Sequence, residues 1–121
     1  MTATRSIPLS IHAGLEALAG PAVMVAPFVF GFSLGATVIS VAIGALLLGL
    51  ALQVPGPQRS LPLSHHADFD YALATFALAA GIALGVIAAE WAAASFLVGI
   101  GAAQVMLTAS TRFSASYGST A

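Results

Sequence analysis

The chain consists of long apolar runs divided by short polar or proline-bearing joints. The runs occupy 17–32, 34–54, 71–89 and 91–109. A bilayer-spanning helix needs about 20 apolar residues. Three runs meet that length directly. The first does so if its helix starts near Ser10, which draws His12 and Glu16 into the membrane boundary. The pattern predicts helices over about 10–32, 34–54, 65–88 and 90–109. Gly31-Phe32-Ser33-Leu34-Gly35 reads as a tight turn, Pro55, Pro57 and Pro62 interrupt the middle of the chain, and Ala88-Ala89-Glu90 marks the third joint. Past Thr108 the tail is rich in Ser and Thr, and its end is expected to be disordered. The expected fold class is all-α: an integral membrane four-helix bundle made of two tandem, parallel-related helical hairpins.

The competing reading of the N-terminus is a signal peptide, which requires a basic n-region, a short apolar stretch and a small-residue cleavage site. Only Arg5 precedes the first run, and the apolar pattern continues past any plausible cleavage point. The first run is therefore read as a helix of the mature chain.

The sequence repeats itself. Residues 5–13 (RSIPLSIHA) and 59–67 (RSLPLSHHA) agree at seven of nine positions with an offset of 54, including Arg5/Arg59, Ser10/Ser64 and His12/His66. Glu16/Asp70 and Gly31/Gly85 keep that register. Ser40/Ser95 and Gly44/Gly99 fit an offset of 55, which implies one inserted residue near Glu90. The two units are 1–54 and 55–121. Each contains an even number of spans, so both share one orientation about an axis along the membrane normal. In the repeated preamble Ser10 and Ser64 are candidate N-caps, while Glu16, Asp68 and Asp70 fall where helix N-termini favour negative charge.

Composition sharpens the class. The chain is 60% hydrophobic and 6% charged, against roughly 25% charged in soluble domains. Mean hydropathy is +1.03, so lipid is the expected solvent. With three Arg and no Lys there is no basic stripe to neutralise phosphates, which excludes nucleic acid as a partner. The absence of Cys removes disulfides, thiolate metal sites and Cys nucleophiles together. Arg5, Arg59 and Arg112 all fall on one face of a four-span topology, and the positive-inside rule makes that face cytoplasmic, with both termini there. These arginines can reach lipid phosphates. With Trp91 at the opposite boundary, they are the expected interfacial anchors.

On Gly20, on Ala26-Pro27-Phe28 where the family carries its Ser-Pro-Trp, and on Gly31-Phe32, the first unit resembles the SPW-repeat family of small bacterial and archaeal membrane proteins. The second unit has Ala80-Gly81-Ile82 at the motif position and keeps Gly85. The resemblance implies paired helices in the bacterial cytoplasmic membrane and brings no catalytic residue.

Two constellations carry candidate chemistry. His12 and Glu16 are spaced i, i+4 and share a helical face, as do His66 and Asp70. If the first and third helices face each other, two imidazoles and two carboxylates converge. Such a set can ligate Zn, Mn or Fe. Alternatively, His12 and His66 can be axial ligands of a haem. The plainer account is local His–acid pairing at the interface. The second constellation is one of small residues: Ala36, Ser40 and Gly44 on helix two, Ala77, Gly81, Gly85 and Ala89 on helix three, and Ser95, Gly99 and Ala103 on helix four. Stripes of this kind let helix backbones approach closely, within the bundle or between subunits.

The expected function is accordingly non-enzymatic. The first reading is a structural or interaction role, self-associating as a homo-oligomer or serving as an accessory subunit of a larger membrane complex. The alternative is a metal- or haem-binding membrane protein built on the duplicated His/acid pairs. A third reading is a carrier of a small hydrophobic ligand in a bend of helix one, where Pro21 and Pro27 each remove a backbone hydrogen bond.

Overall fold

The computed structural model describes residues 6–53 and 63–113. Arg5, Arg59, the three loop prolines and the tail beyond Phe113 lie outside the described residues. The described residues form four helices: α1 (Leu9–Phe30), α2 (Leu34–Gln53), α3 (Leu63–Ala88) and α4 (Trp91–Ala109). Each boundary falls within two residues of the sequence expectation. All four helices are long and apolar enough to cross a membrane. About a third or less of each span is buried, yet the outward positions are also apolar, as at Leu18, Phe28, Leu34, Val86 and Ile87. Helices that are hydrophobic on every side need lipid or protein all round them.

α1 packs closely on α2, and α3 on α4. The hairpins touch each other more sparsely, α2 against α3 and α1 against α4, which leaves α1 and α3 on a diagonal. Close packing rests on glycine. A Cβ on Gly44 would fall 2.5 Å from the Gly20 carbonyl oxygen, and one on Gly101 would fall 2.9 Å from that of Ala74. Gly81 admits Ala94 and Val98, and Gly85 admits the Trp91 ring. Val23, Ile43, Leu47, Leu73, Ala77 and Leu97 form the central core.

The hairpins bury corresponding positions, but in a register different from the one the sequence implies. In α1 and α3 the offset is 54, pairing buried His12 with His66, Glu16 with Asp70, and Val23 with Ala77. In α2 and α4 it is 57, pairing buried Ala36 with Ala93, Ser40 with Leu97, Gly44 with Gly101 and Ala51 with Thr108. The cause is the length of α3, which continues a full turn beyond the point matching the end of α1. Ser95, Gly99 and Ala103 therefore face outward, and a Cβ on Gly99 would meet nothing within 4 Å. Within the bundle, α4 packs closely at Gly101 and not along that stripe.

The helix ends also differ from expectation. Pro8, not Ser10, is the N-cap of α1, with no side-chain cap bond, and Ser10 lies exposed inside the helix. α3 has already begun at Leu63, so Ser64 is not its cap either. Neither α1 nor α3 has an acid in its first turn, so Glu16 and Asp70 are not dipole partners of the N-termini. The serine that does cap a helix is Ser33. Its Oγ accepts the Ala36 N–H at 3.2 Å and donates to Glu90 Oε1 at 2.5 Å, tying the two hairpin turns together. Gly31 ends α1 with φ +68°, and Ala89 takes the corresponding left-handed role before α4 with φ +54°.

α1 runs continuously through Pro21 and Pro27. Pro27 has no N–H for the Val23 carbonyl, and Ser40 supplies the missing donor, Oγ to Val23 O at 2.7 Å. An apolar cavity of about 710 Å³ opens between α2 and α3 beside Leu46, Leu50, Phe69, Leu73 and Phe76. It does not lie at the α1 prolines, where a hydrophobic-ligand site was expected. Beyond α4 the chain folds back: the Ile7 N–H donates to Ser110 O and the Arg112 N–H to Ile7 O, both at 3.0 Å. These bonds bridge Ile7 to Thr111.

Candidate metal centre

His12 and Glu16 are the fourth and eighth residues of α1, and His66 and Asp70 hold the same places in α3. The i, i+4 spacing turns each pair to one face, and both faces point to the bundle axis. The structure brings all four side chains together, each 0–1% exposed. One ligand atom from each lies within 4.8 Å of all the others. His12 Nε2 stands 2.9 Å from Asp70 Oδ2 and 3.1 Å from Glu16 Oε2, while His66 Nε2 stands 3.2 Å from Asp70 Oδ2 and 3.5 Å from Glu16 Oε1.

A polar shell surrounds this cluster. Gln104 of α4 donates from Nε2 to Glu16 Oε2 at 2.7 Å and to Asp70 Oδ1 at 2.9 Å, so one amide orients both carboxylates. Thr111 Oγ1 donates to Leu107 O at 2.6 Å, which leaves it to accept from His12 Nδ1–H at 2.7 Å. That bond fixes the ring's orientation and turns Nε2 to the carboxylates, where it also hydrogen-bonds Asp70 Oδ2 at 2.9 Å. Phe113 covers both imidazoles, with ring centroids 5.1 Å from His12 and 5.7 Å from His66. Two buried atoms inside the cluster, His66 Nε2 and Glu16 Oε1, make no hydrogen bond.

The remaining sequence candidates fall elsewhere. Trp91 is exposed at the far end and Arg112 is exposed next to the cluster's end of the bundle. His65 and Asp68 point outward. Ala77, Gly81 and Gly85 face α4 and the core, while Ala89 is exposed in the turn. Sequence reasoning missed Gln104, Thr111 and Phe113. Gln104 is the one amide inside an otherwise apolar span, which was a readable signal. Thr111 and Phe113 sit in a Ser/Thr-rich stretch with no periodicity to mark them.

No family model, curated protein or solved structure matches the chain. The resemblance to the SPW-repeat family gains no support there, and the site must be read from its own chemistry.

Proposed function

We propose that the protein is a small four-span membrane protein that binds a single divalent transition metal at His12, Glu16, His66 and Asp70. In this reading the ion serves to pin its two hairpins together rather than to catalyse. The observation that carries this is the convergence of four buried ligand atoms, two of them left without hydrogen bonds. Bonds of about 2.0–2.1 Å to a four-coordinate metal put its ligand atoms about 3.3 Å apart. Four nitrogen–oxygen separations here, counting both Glu16 oxygens, run from 2.9 to 3.5 Å, and one ligand atom per residue lies within 4.8 Å of the other three, close enough to draw in around an ion. Two carboxylates and a divalent cation sum to zero charge, which a site among membrane spans requires. Mixed imidazole and carboxylate ligands favour Zn, Mn or Fe over Ca or Mg, which take six or more oxygens. Burial beneath Phe113 supports a closed, structural site over an open, catalytic one.

The pairing of one His and one acid from each hairpin supports descent of both from one duplicated unit. The arginine pattern supports placing the cluster's end of the bundle on the cytoplasmic side. A haem is disfavoured. The imidazole centroids are 5.8 Å apart, but the carboxylates of Glu16 and Asp70 occupy the space a porphyrin would need. The second reading favoured by an observation is a purely ionic pin, in which protons on the imidazoles bridge the carboxylates at the same short distances.

Elemental analysis of the full chain purified in mild detergent, together with its visible spectrum after Co²⁺ addition, separates the two. The expected result is one metal per chain and a four-coordinate Co²⁺ spectrum, both lost in His12→Ala/His66→Ala. A protein that takes up neither Zn²⁺ nor Co²⁺ refutes the metal reading and leaves the ionic pin. A Soret band would restore the haem.

A further inference from the structure

Resting on that metal reading, we propose that residues 110–113, clasped to Ile7, form the access gate of the cluster. The metal then enters from the end of the bundle where α1 begins and α4 ends. Towards the opposite end, the route along the axis is closed by Val23, Ile43, Leu47, Ala77 and Leu97, all nearly or wholly inaccessible. Towards the near end, the clasp is what covers both imidazoles. Thr111 is 0% and Phe113 9% exposed, although both lie beyond the last residue of α4. Their burial is burial against the cluster: one bonds His12, and the other covers both imidazoles.

The clasp is local. Two backbone hydrogen bonds to Ile7 hold it, and no helix has to shift for it to lift. Closing it also orients a ligand, because Thr111 accepts a hydrogen bond from His12 Nδ1–H and so turns Nε2 towards the carboxylates. Access and ligand geometry thus meet at Thr111. Opening of short terminal segments lies at the low end of local unfolding free energies, so exchange would be governed by the clasp and not by unfolding of the bundle.

The test uses the full chain in detergent, loaded with Zn²⁺ or Co²⁺ and mixed rapidly with excess chelator. Ile7→Pro removes the N–H that holds Ser110 and touches no cluster residue. Phe113→Ala removes the cover. Each is expected to release the ion about tenfold faster than the parent, the factor given by losing one closing contact. Ile7→Pro should keep the parent's stoichiometry and Co²⁺ spectrum, with helicity by circular dichroism confirming that both variants retain the bundle. Release at the parent's rate in both variants overturns the gate. So does acceleration by Leu73→Ala alone, which would put access through the α2–α3 groove. A parent that binds neither ion refutes the metal reading itself, a result distinct from slow or fast release.

Discussion

At the scale of single residues, the bundle is governed by polar groups that have no water to fall back on. The Val23 carbonyl shows how the chain answers this. Pro27 leaves it without its helical donor, and Ser40 on the neighbouring helix provides one at 2.7 Å. A hydroxyl in a packing stripe is thus a specific repair for a proline elsewhere. Ser40→Ala should cost about 1 kcal/mol in unfolding by denaturing detergent, the usual size of an interhelical hydrogen bond in lipid. In a Pro27→Ala background, where residue 27 regains its N–H, the same substitution should cost far less. A double-mutant cycle measures the difference directly. Equal costs in both backgrounds would mean that Ser40 acts by packing alone.

At the scale of helices and turns, existence and length were legible in the sequence because an apolar run of spanning length has few alternatives. The His/acid pairs were legible too, since i, i+4 spacing puts two residues on a shared face of any helix that contains them. The end of α3 at Ala88 was read as well; what was not drawn from it was the shift it imposes on α4 relative to α2. Ala88-Ala89-Glu90 carries no glycine to stop the helix, and Ala89 adopts the left-handed conformation without one. The added turn carries α4 three residues further along and makes Gly101, not Gly99, the equivalent of Gly44. The Ser40/Ser95 and Gly44/Gly99 matches in sequence therefore do not correspond to matching contacts inside the bundle. Thr111 was hidden for another reason: its role depends on a return of the chain that no local pattern encodes. The register has a direct check. Gly44→Ala drives a methyl into the Gly20 carbonyl and should lose about 1–3 kcal/mol as an overpacked contact. Gly99→Ala meets open space and should stay within about 0.5 kcal/mol of the parent. Equal destabilisation by both would return Gly99 to an interface, one made between copies of the chain.

At the scale of the whole molecule, the question is what joins two hairpins that touch so sparsely. At one end the join is Ser33 to Glu90. At the other it is the cluster, where each hairpin contributes one imidazole and one carboxylate and α4 adds the Gln104 amide to both acids. An ion held there is a cross-link between halves of the chain, so its binding energy becomes stability of the whole bundle. Mass action sets the scale: metal at a hundred times its dissociation constant should add about 2.7 kcal/mol to unfolding. The dependence on pH has a definite sign. Metal needs the Nε2 lone pairs and both carboxylates unprotonated, so protons compete with it. The metal-induced rise in Tm should be largest at neutral to alkaline pH and shrink as pH falls. A purely ionic pin predicts the reverse, since its imidazoles must be protonated to bridge the acids. Its stability would then need no metal and would fall on the alkaline side. Thermal unfolding followed by circular dichroism across that range, with Zn²⁺ and with chelator, distinguishes them by the direction of the slope.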